Sequence, residues 1–379
     1  MKIERRGEGA SVRRPLGVAV IGSGTIGRLR ATVLARNPAV GFIAVCDLVE
    51  ERARAVAGEI GAAYWGTDHL RAIGLDEVDA VIVASGEDDH FAPSMAAIEL
   101  GKPLLVEKPF VVKPTEAQIL IDAAERRGVP VFVGYTQRFR RRYMNAREQI
   151  DLGRLGELTT ALGKIVVTRA VGQSVMERSR GTSPSINTLT YVIDLLLWYL
   201  EGYEPLRLCA VGAEGAFMER YGVHDSTWAV VKLSRGCVAT VGVSWEPPEF
   251  HPAATAQMAI ELFGRDGCLS IEDGHRESVL VSSHPIPAPY TPQHSSNVGF
   301  LGSAMPGDWA LGSLHGPMRE ETDAFVGSVI SRQAHPVLAT ARHAARVLDL
   351  CLAIDRAAKT GEVVELDAAP EPQPTVASS

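Results

Sequence analysis

Lys108 closes the apolar run Leu104-Leu105-Val106-Glu107 and is followed at once by Pro109. A lysine by itself is usually a solvated surface charge. One that ends a buried strand and is held by a proline is expected to point into the crevice at the strand's carboxyl end, where doubly wound sheets bind ligands. An ammonium there can polarise a carbonyl oxygen. A second set of chemical groups lies in the mostly apolar segment 187–200, where Asn187, Tyr191 and Asp194 recur at i, i+4 and i+7. That spacing puts them on one helical stripe. Buried polar groups need partners, so the stripe should face a polar cleft or a ligand. The competing reading is that Tyr191 only anchors packing through its ring and hydroxyl.

Gly22-Ser23-Gly24-Thr25-Ile26-Gly27 follows the β-branched run Leu16 to Ile21 and opens an apolar-periodic segment, Ile26 to Arg36. Its first glycine permits a tight turn, the second lets backbone approach a pyrophosphate, and the third allows close helix–strand packing. The helix N-terminus supplies a positive dipole. A second strand ends at Asp47, about twenty residues beyond the last glycine, where a carboxylate accepts ribose hydroxyls and repels a 2′-phosphate. Leu48 follows it rather than an arginine. NAD(H) is therefore expected over NADP(H), with Arg52 and Arg54 keeping the latter open.

These groups need a frame. Strand signals at 16–21, 42–46, 80–84, 104–106 and 129–133 alternate with helical segments 26–36, 50–59, 93–100 and 115–127. Continuous apolar strands separated by helices indicate a parallel sheet covered on both faces. After about residue 135, longer strands at 157–169, 206–212, 227–233, 236–245, 257–263 and 267–272 follow one another through short turns, which favours antiparallel pairing. Helices are expected at 187–200, 318–331 and 339–359. The stretch 284–317, rich in Pro, Gly and Ser, is too long for a plain connection and reads as a functional loop or partner arm. The expected organisation is an α/β domain over 14–134 and an α+β domain over 135–366, with flexible tails at 1–13 and 367–379.

The chain has 379 residues, and a formal charge of −7 excludes the basic surface that nucleic-acid binding needs. No apolar run reaches the roughly 20 residues of a membrane span, and the polar N-terminus is no secretory signal. Five scattered cysteines argue against a disulfide framework or zinc site and suit a reducing cytoplasm. His224, His251 and His315 lack ligand-like spacing, so no metal is expected.

Taken together, the glycine loop, His90, Glu107-Lys108-Pro109, Gly134-Tyr135 with Arg138-Phe139, and the C-terminal helix pair resemble the Gfo/Idh/MocA oxidoreductase family over about residues 14–366. The resemblance implies an N-terminal Rossmann dinucleotide-binding domain and a C-terminal α+β domain with a large open, mainly antiparallel sheet. That sheet would mediate homodimers or homotetramers. It also implies hydride transfer between a nicotinamide cofactor and a sugar or cyclitol. Carried over residue by residue, it assigns Gly22, Gly24, Thr25, Ile26, Gly27, Asp47, Ser85, His90, Glu107 and Lys108 to the cofactor. Arg138, Arg169 (expected on a strand), Asp194 and Arg319 become substrate candidates.

The sequence also departs from that pattern. The family usually carries Asp and His where alignment on Asp194-Leu195-Leu196-Leu197-Trp198 places Asn187 and Tyr191. A phenol, with a pKa near 10, starts protonated at neutrality and is ready to donate to a carbonyl. Lys108 beside it would lower its pKa for the reverse step. Ketone reduction is thus the expected direction, with Lys108 and Tyr191 as the acid–base pair and Asn187 orienting substrate. Glu87 stands where the family has Asn under the nicotinamide ribose, followed by Asp88 and Asp89; the alternative reading of these carboxylates is a solvated helix N-terminus, where acidic residues are favoured. Arg178 to Ser185 replaces a glycine-rich approach. Its two arginines suit a substrate phosphate or carboxylate, and the alternative is an exposed loop with Ser183 or Ser185 as helix cap. Three other functions stay open: alcohol oxidation, transient-redox glycoside cleavage with bound NAD, and a non-catalytic nicotinamide-binding regulator.

Overall fold

Apolar strands whose alternate residues face opposite sides form a first sheet. The computed structural model describes residues 14–274, 277–288, 291–302 and 304–366; the tails expected at 1–13 and 367–379 lie outside the described residues. The chain runs β1 (Leu16–Ile21), α1 (Thr25–Arg36), β2 (Val40–Cys46), α2 (Glu50–Ile60), β3 (Tyr64–Gly66), α3 (His69–Ile73), β4 (Ala80–Val83), α4 (Phe91–Glu99), β5 (Leu104–Glu107), α5 (Pro114–Arg127) and β6 (Val131–Gly134). These strands are parallel in the order β6-β5-β4-β1-β2-β3, so the winding reverses between β1 and β4. Ligands bind at that switch point, outside the carboxyl ends of the strands. One face, with Val18, Val20, Ile43, Val45, Ile82, Leu105 and Phe132, packs on α1 and α2. The other, with Ala19, Ile21, Val81, Val83, Leu104 and Val106, joins the larger core. Burial of both faces explains why the strands read as unbroken apolar runs.

After α6 (Arg141–Asp151) come β7 (Leu158–Val167), α7 (Arg169–Arg178), a π-helical turn (Ser185–Leu189), α8 (Thr190–Tyr199), β8 (Pro205–Ala213), α9 (Ala216–Tyr221), β9 (Ser226–Leu233), β10 (Val238–Ser244), β11 (Thr255–Gly264) and β12 (Cys268–Asp273). With β18 (Val364–Glu365) they form a second sheet, β12-β11-β7-β10-β9-β8-β18. It is mainly antiparallel as expected, with one exception: β10 pairs parallel with β7. One face carries Ile165, Val231, Val241 and Ile260 into the core beneath α8 and α11 (Ala341–Thr360). Gly163 makes the approach of α8 possible, since a Cβ there would come within 2.4 Å of the Val192 side chain.

Two expectations are corrected. Residues 284–317 are not a loop: β13 (Ser278–Pro287) pairs with β14 (Ser295–Leu301), and β15 (Asp308–Ala310) pairs with β16 (Ser313–His315). Their short pairings and turn residues lack the apolar alternation that marks a core strand. Arg169 is not on a strand but opens α7, because Thr168 turns the chain after β7. Finally, the chain returns to the first sheet late: α10 (Pro317–Ser331) lays Phe325 and Val326 on its core, and β17 (Ala339–Thr340) pairs antiparallel with β6.

Candidate active site

The glycine turn after β1 has the shape a dinucleotide needs. Gly22 has φ +99°, and a Cβ on it would lie 2.4 Å from the Ala84 carbonyl oxygen. At Gly27 a Cβ would lie 1.8 Å from the Gly22 oxygen, so only glycine lets α1 sit so close to the turn. At Gly24, by contrast, a Cβ would meet nothing within 4 Å. Open space therefore lies over the first turn of α1, where Thr25 and Ile26 begin the helix and no side chain caps its N–H groups. Such a terminus suits a pyrophosphate. Beside it, Asp47 Oδ2 accepts the Ser23 N–H at 2.6 Å and Oδ1 accepts the Val49 N–H at 2.9 Å. This holds the carboxylate at the end of β2 while each oxygen keeps acceptor capacity for a ribose hydroxyl. The residues present fit NAD.

Ser85 and His90 lie on the turn after β4. His90 is buried, with Nδ1 2.9 Å from the Pro109 carbonyl oxygen and Nε2 3.3 Å from that of Ser85. The imidazole thus ties this turn to the one that carries Lys108. Both ring nitrogens face backbone carbonyls, and the ring fixes that junction.

Lys108 follows β5, and its Nζ donates to the Asn187 carbonyl oxygen at 2.9 Å. The same nitrogen lies 4.8 Å from the centroid of the Tyr191 ring. Burial pushes the lysine pKa down to about 8; Glu87 opposes the fall, Arg178 adds to it and Glu107 opposes it. The Asn187 side chain is occupied as well. Its Nδ2 donates to Glu87 Oε1 at 2.6 Å, and its Oδ1 accepts from Thr188 at 3.3 Å. Trp245 in turn donates to the Thr188 hydroxyl at 2.8 Å. Asn187 is held in place by protein groups at both ends of its amide. Arg178 donates to the same Glu87 oxygen at 3.0 Å, and Ser179 to Asp88 at 2.9 Å. The acidic turn and the arginine loop are therefore partners of each other. Ser183 does cap the π-helical turn, its hydroxyl accepting the Ile186 N–H at 3.1 Å.

Glu107 points behind the lysine rather than toward the cofactor crevice. Its Oε1 accepts two hydrogen bonds from Arg30 of α1, at 2.8 and 2.7 Å, and Arg30 also pairs with Glu321 of α10 at 2.5 Å. Burial pulls Arg30 down, but the two carboxylates outweigh it and raise its pKa. Burial pushes Glu321 up to about 7 against the pull of Arg30. Gly134 leaves room for this cluster: a Cβ would sit 3.0 Å from the guanidinium.

The remaining substrate candidates lie elsewhere. Arg138 and Asp194 bind each other, buried, through contacts of 2.7 to 3.1 Å. His343 of α11 joins them, its Nε2 2.9 Å from Asp194, and burial lowers its pKa. The π-helical turn contains Asn187 and ends before Tyr191 and Asp194, so it is Asn187 that leaves the regular period, while Asp194 stays on α8 with Tyr191 and turns to Arg138 and His343. Arg169 donates to the Glu246 carbonyl oxygen at 3.2 Å. Arg319 is half exposed and lies 3.8 Å from Asp323 on α10. Sequence reasoning overlooked Arg30, Glu321 and His343. The one signal was Arg30 itself, a charge one helical turn from Gly27 and from Leu34 on the buried face of α1.

The family described as oxidoreductases with an NAD-binding Rossmann fold matches residues 16–135, and the Gfo/Idh/MocA C-terminal domain matches residues 143–270. Scyllo-inositol 2-dehydrogenase (NAD(+)) of Bacillus subtilis strain 168 is 27% identical over 268 residues, 70% of this chain and 76% of the relative. D-glucoside 3-dehydrogenase of Escherichia coli strain K12 is 24% identical, covering 94% of this chain and 99% of its own. The fold is that of GenD2 from gentamicin A biosynthesis, solved in complex with NAD: TM-score 0.77, 22% identity, 96% of this chain and 99% of that one. Fold and site together define an oxidoreductase with an NAD-binding Rossmann fold. The chain belongs to the Gfo/Idh/MocA oxidoreductase family.

Proposed function

We propose that this protein interconverts an alcohol and a ketone at a ring carbon of a sugar or cyclitol, with reduction favoured and Lys108 and Tyr191 as the acid–base pair. NAD(H), when bound, supplies or accepts the hydride. The observation that carries the reading is the placement of the Lys108 ammonium 4.8 Å from the Tyr191 ring. With a pKa of about 8 the lysine is mostly charged at neutrality, and the Tyr191 hydroxyl is an O–H donor. Both groups are then acids, which suits proton donation to a ketone oxygen. The Asn187 carbonyl positions the ammonium, and Asp47 excludes a 2′-phosphate. Arg138 and Asp194 act as a buried brace between the 3-10 turn after β6, α8 and α11.

The relatives named above are dehydrogenases, which favours alcohol oxidation as a second reading of the same site. A panel of keto- and hydroxy-forms of inositols and glucosides, followed through NADH absorbance in both directions at neutral and alkaline pH, separates the two. Faster reduction at neutrality supports the first reading; turnover of neither form sinks both. We further propose a homodimer or homotetramer formed through the second sheet, whose outer face exposes Leu162, Val211, Trp228, Val230 and Phe263. Five free thiols suit a reducing cytoplasm.

A further inference from the structure

Glu87 is 6% exposed, yet its Oε2 is buried without a hydrogen-bond partner among the described residues. A carboxylate kept only to complete a structural network would use both oxygens, because an unpaired buried acceptor costs about 1–3 kcal/mol. Here one oxygen, Oε1, takes both donors, Asn187 Nδ2 and Arg178, and the other is left over. The chain of contacts then runs in one direction: Glu87 to the Asn187 side chain, and the Asn187 carbonyl to Lys108 Nζ.

We propose that Glu87 is a positioning residue for Lys108, fixing through Asn187 the carbonyl on which the amine rests and supplying the counter-charge that keeps the amine protonated. The proposal rests on the reading of Lys108 as proton donor. Arg178 draws on the same carboxylate oxygen and so limits the negative charge the amine feels. The charged and titratable groups around Lys108 are Glu87 on the turn after β4, Glu107 on β5, Arg178 on α7 and Tyr191 on α8. Glu107 is neutralised by Arg30, which it meets through two hydrogen bonds. The half-exposed Arg178, at 49%, is partly screened by solvent and opposes Glu87 more weakly. Glu87 is therefore the carboxylate whose charge acts most directly on the amine, and burial in a water-poor site strengthens it.

Glu87→Gln keeps an oxygen for Asn187 and Arg178 while removing the charge. Competitive labelling of the full chain with trace acetic anhydride across pH, with the Lys108 peptide read by mass spectrometry, reports where this amine loses its proton. Glu87→Gln is expected to lower that midpoint by about one pH unit, about a tenfold gain in neutral amine, and Arg178→Met to raise it. A structural role alone would not move the midpoint in opposite directions. Unchanged midpoints in folded, NADH-binding variants overturn the proposal; if Glu87→Gln does not fold, an unchanged midpoint in Arg178→Met overturns it. A Lys108→Met variant distinguishes the two levels: turnover retained there overturns the proton-donor reading, whereas turnover lost there with unmoved midpoints overturns only the role of Glu87.

Discussion

Lys108 is under opposed pressures, and their balance sets what the site can do. Burial removes water from the ammonium and pushes its pKa down to about 8, while the Glu87 charge resists. Reduction needs the protonated amine, so the reductive rate is expected to hold below that value and fall as pH rises through it. Oxidation needs the neutral form and should rise over the same interval. A rate–pH profile in both directions checks this, and two limbs that do not mirror each other would count against Lys108. Tyr191→Phe keeps the ring beside the ammonium but deletes the hydroxyl. Loss of a general acid costs about a hundredfold or more, so kcat should drop by that factor while NADH affinity stays. An unchanged kcat would leave Tyr191 a packing residue.

Helices and strands are joined behind the site by charge. Arg30 lies inside α1, the helix that carries the nucleotide cradle, and reaches Glu107 at the end of β5 and Glu321 on α10. One cation thus connects the glycine turn, the strand before Lys108 and a helix from the far end of the chain. Breaking a buried charge cluster by removing one partner typically costs about 3–5 kcal/mol, because the remaining charges are left uncompensated. Arg30→Met is expected to destabilise by that amount at neutral pH, measured by urea unfolding. Its loss should be smaller in mild acid, where Glu321, with its pKa of about 7, is already protonated. A flat pH dependence of the difference would argue against the cluster. The π-helical turn is the second device at this scale. It offers the Asn187 carbonyl to Lys108, while beyond it on α8 Tyr191 faces Lys108 and Asp194 serves Arg138 and His343.

Among the described residues, the outer face of the second sheet leaves apolar side chains exposed. Trp228 is 44% exposed and Val211 71%. They are cross-strand neighbours in the β8–β9 pairing, and Gly242 beneath Trp228 leaves space for the indole to lie flat, as a Cβ would meet it at 2.2 Å. Contiguous apolar patches of this kind mark association sites. Trp228→Glu combined with Val211→Glu is expected to convert the oligomer to monomer by sedimentation velocity, with the fold retained by circular dichroism. A wild-type chain that already sediments as a monomer would refute the assembly.

Much of this architecture was legible before any coordinates. Unbroken apolar runs and helical spacing are local properties, so the strands and helices of the first domain could be placed, and the Gly22 to Gly27 turn with Asp47 announced the nucleotide cradle. The short β3 and α3 went unread because three to five residues carry too little periodicity. The partners of each polar group were decided by the tertiary structure alone. Nothing local tells that Arg178 reaches Glu87, that His343 closes on Asp194, or that Glu107 turns to Arg30 across residues far apart in the chain. Side-chain periodicity reports which way a residue faces, whereas the pairing of buried charges depends on which distant elements the fold brings against that face.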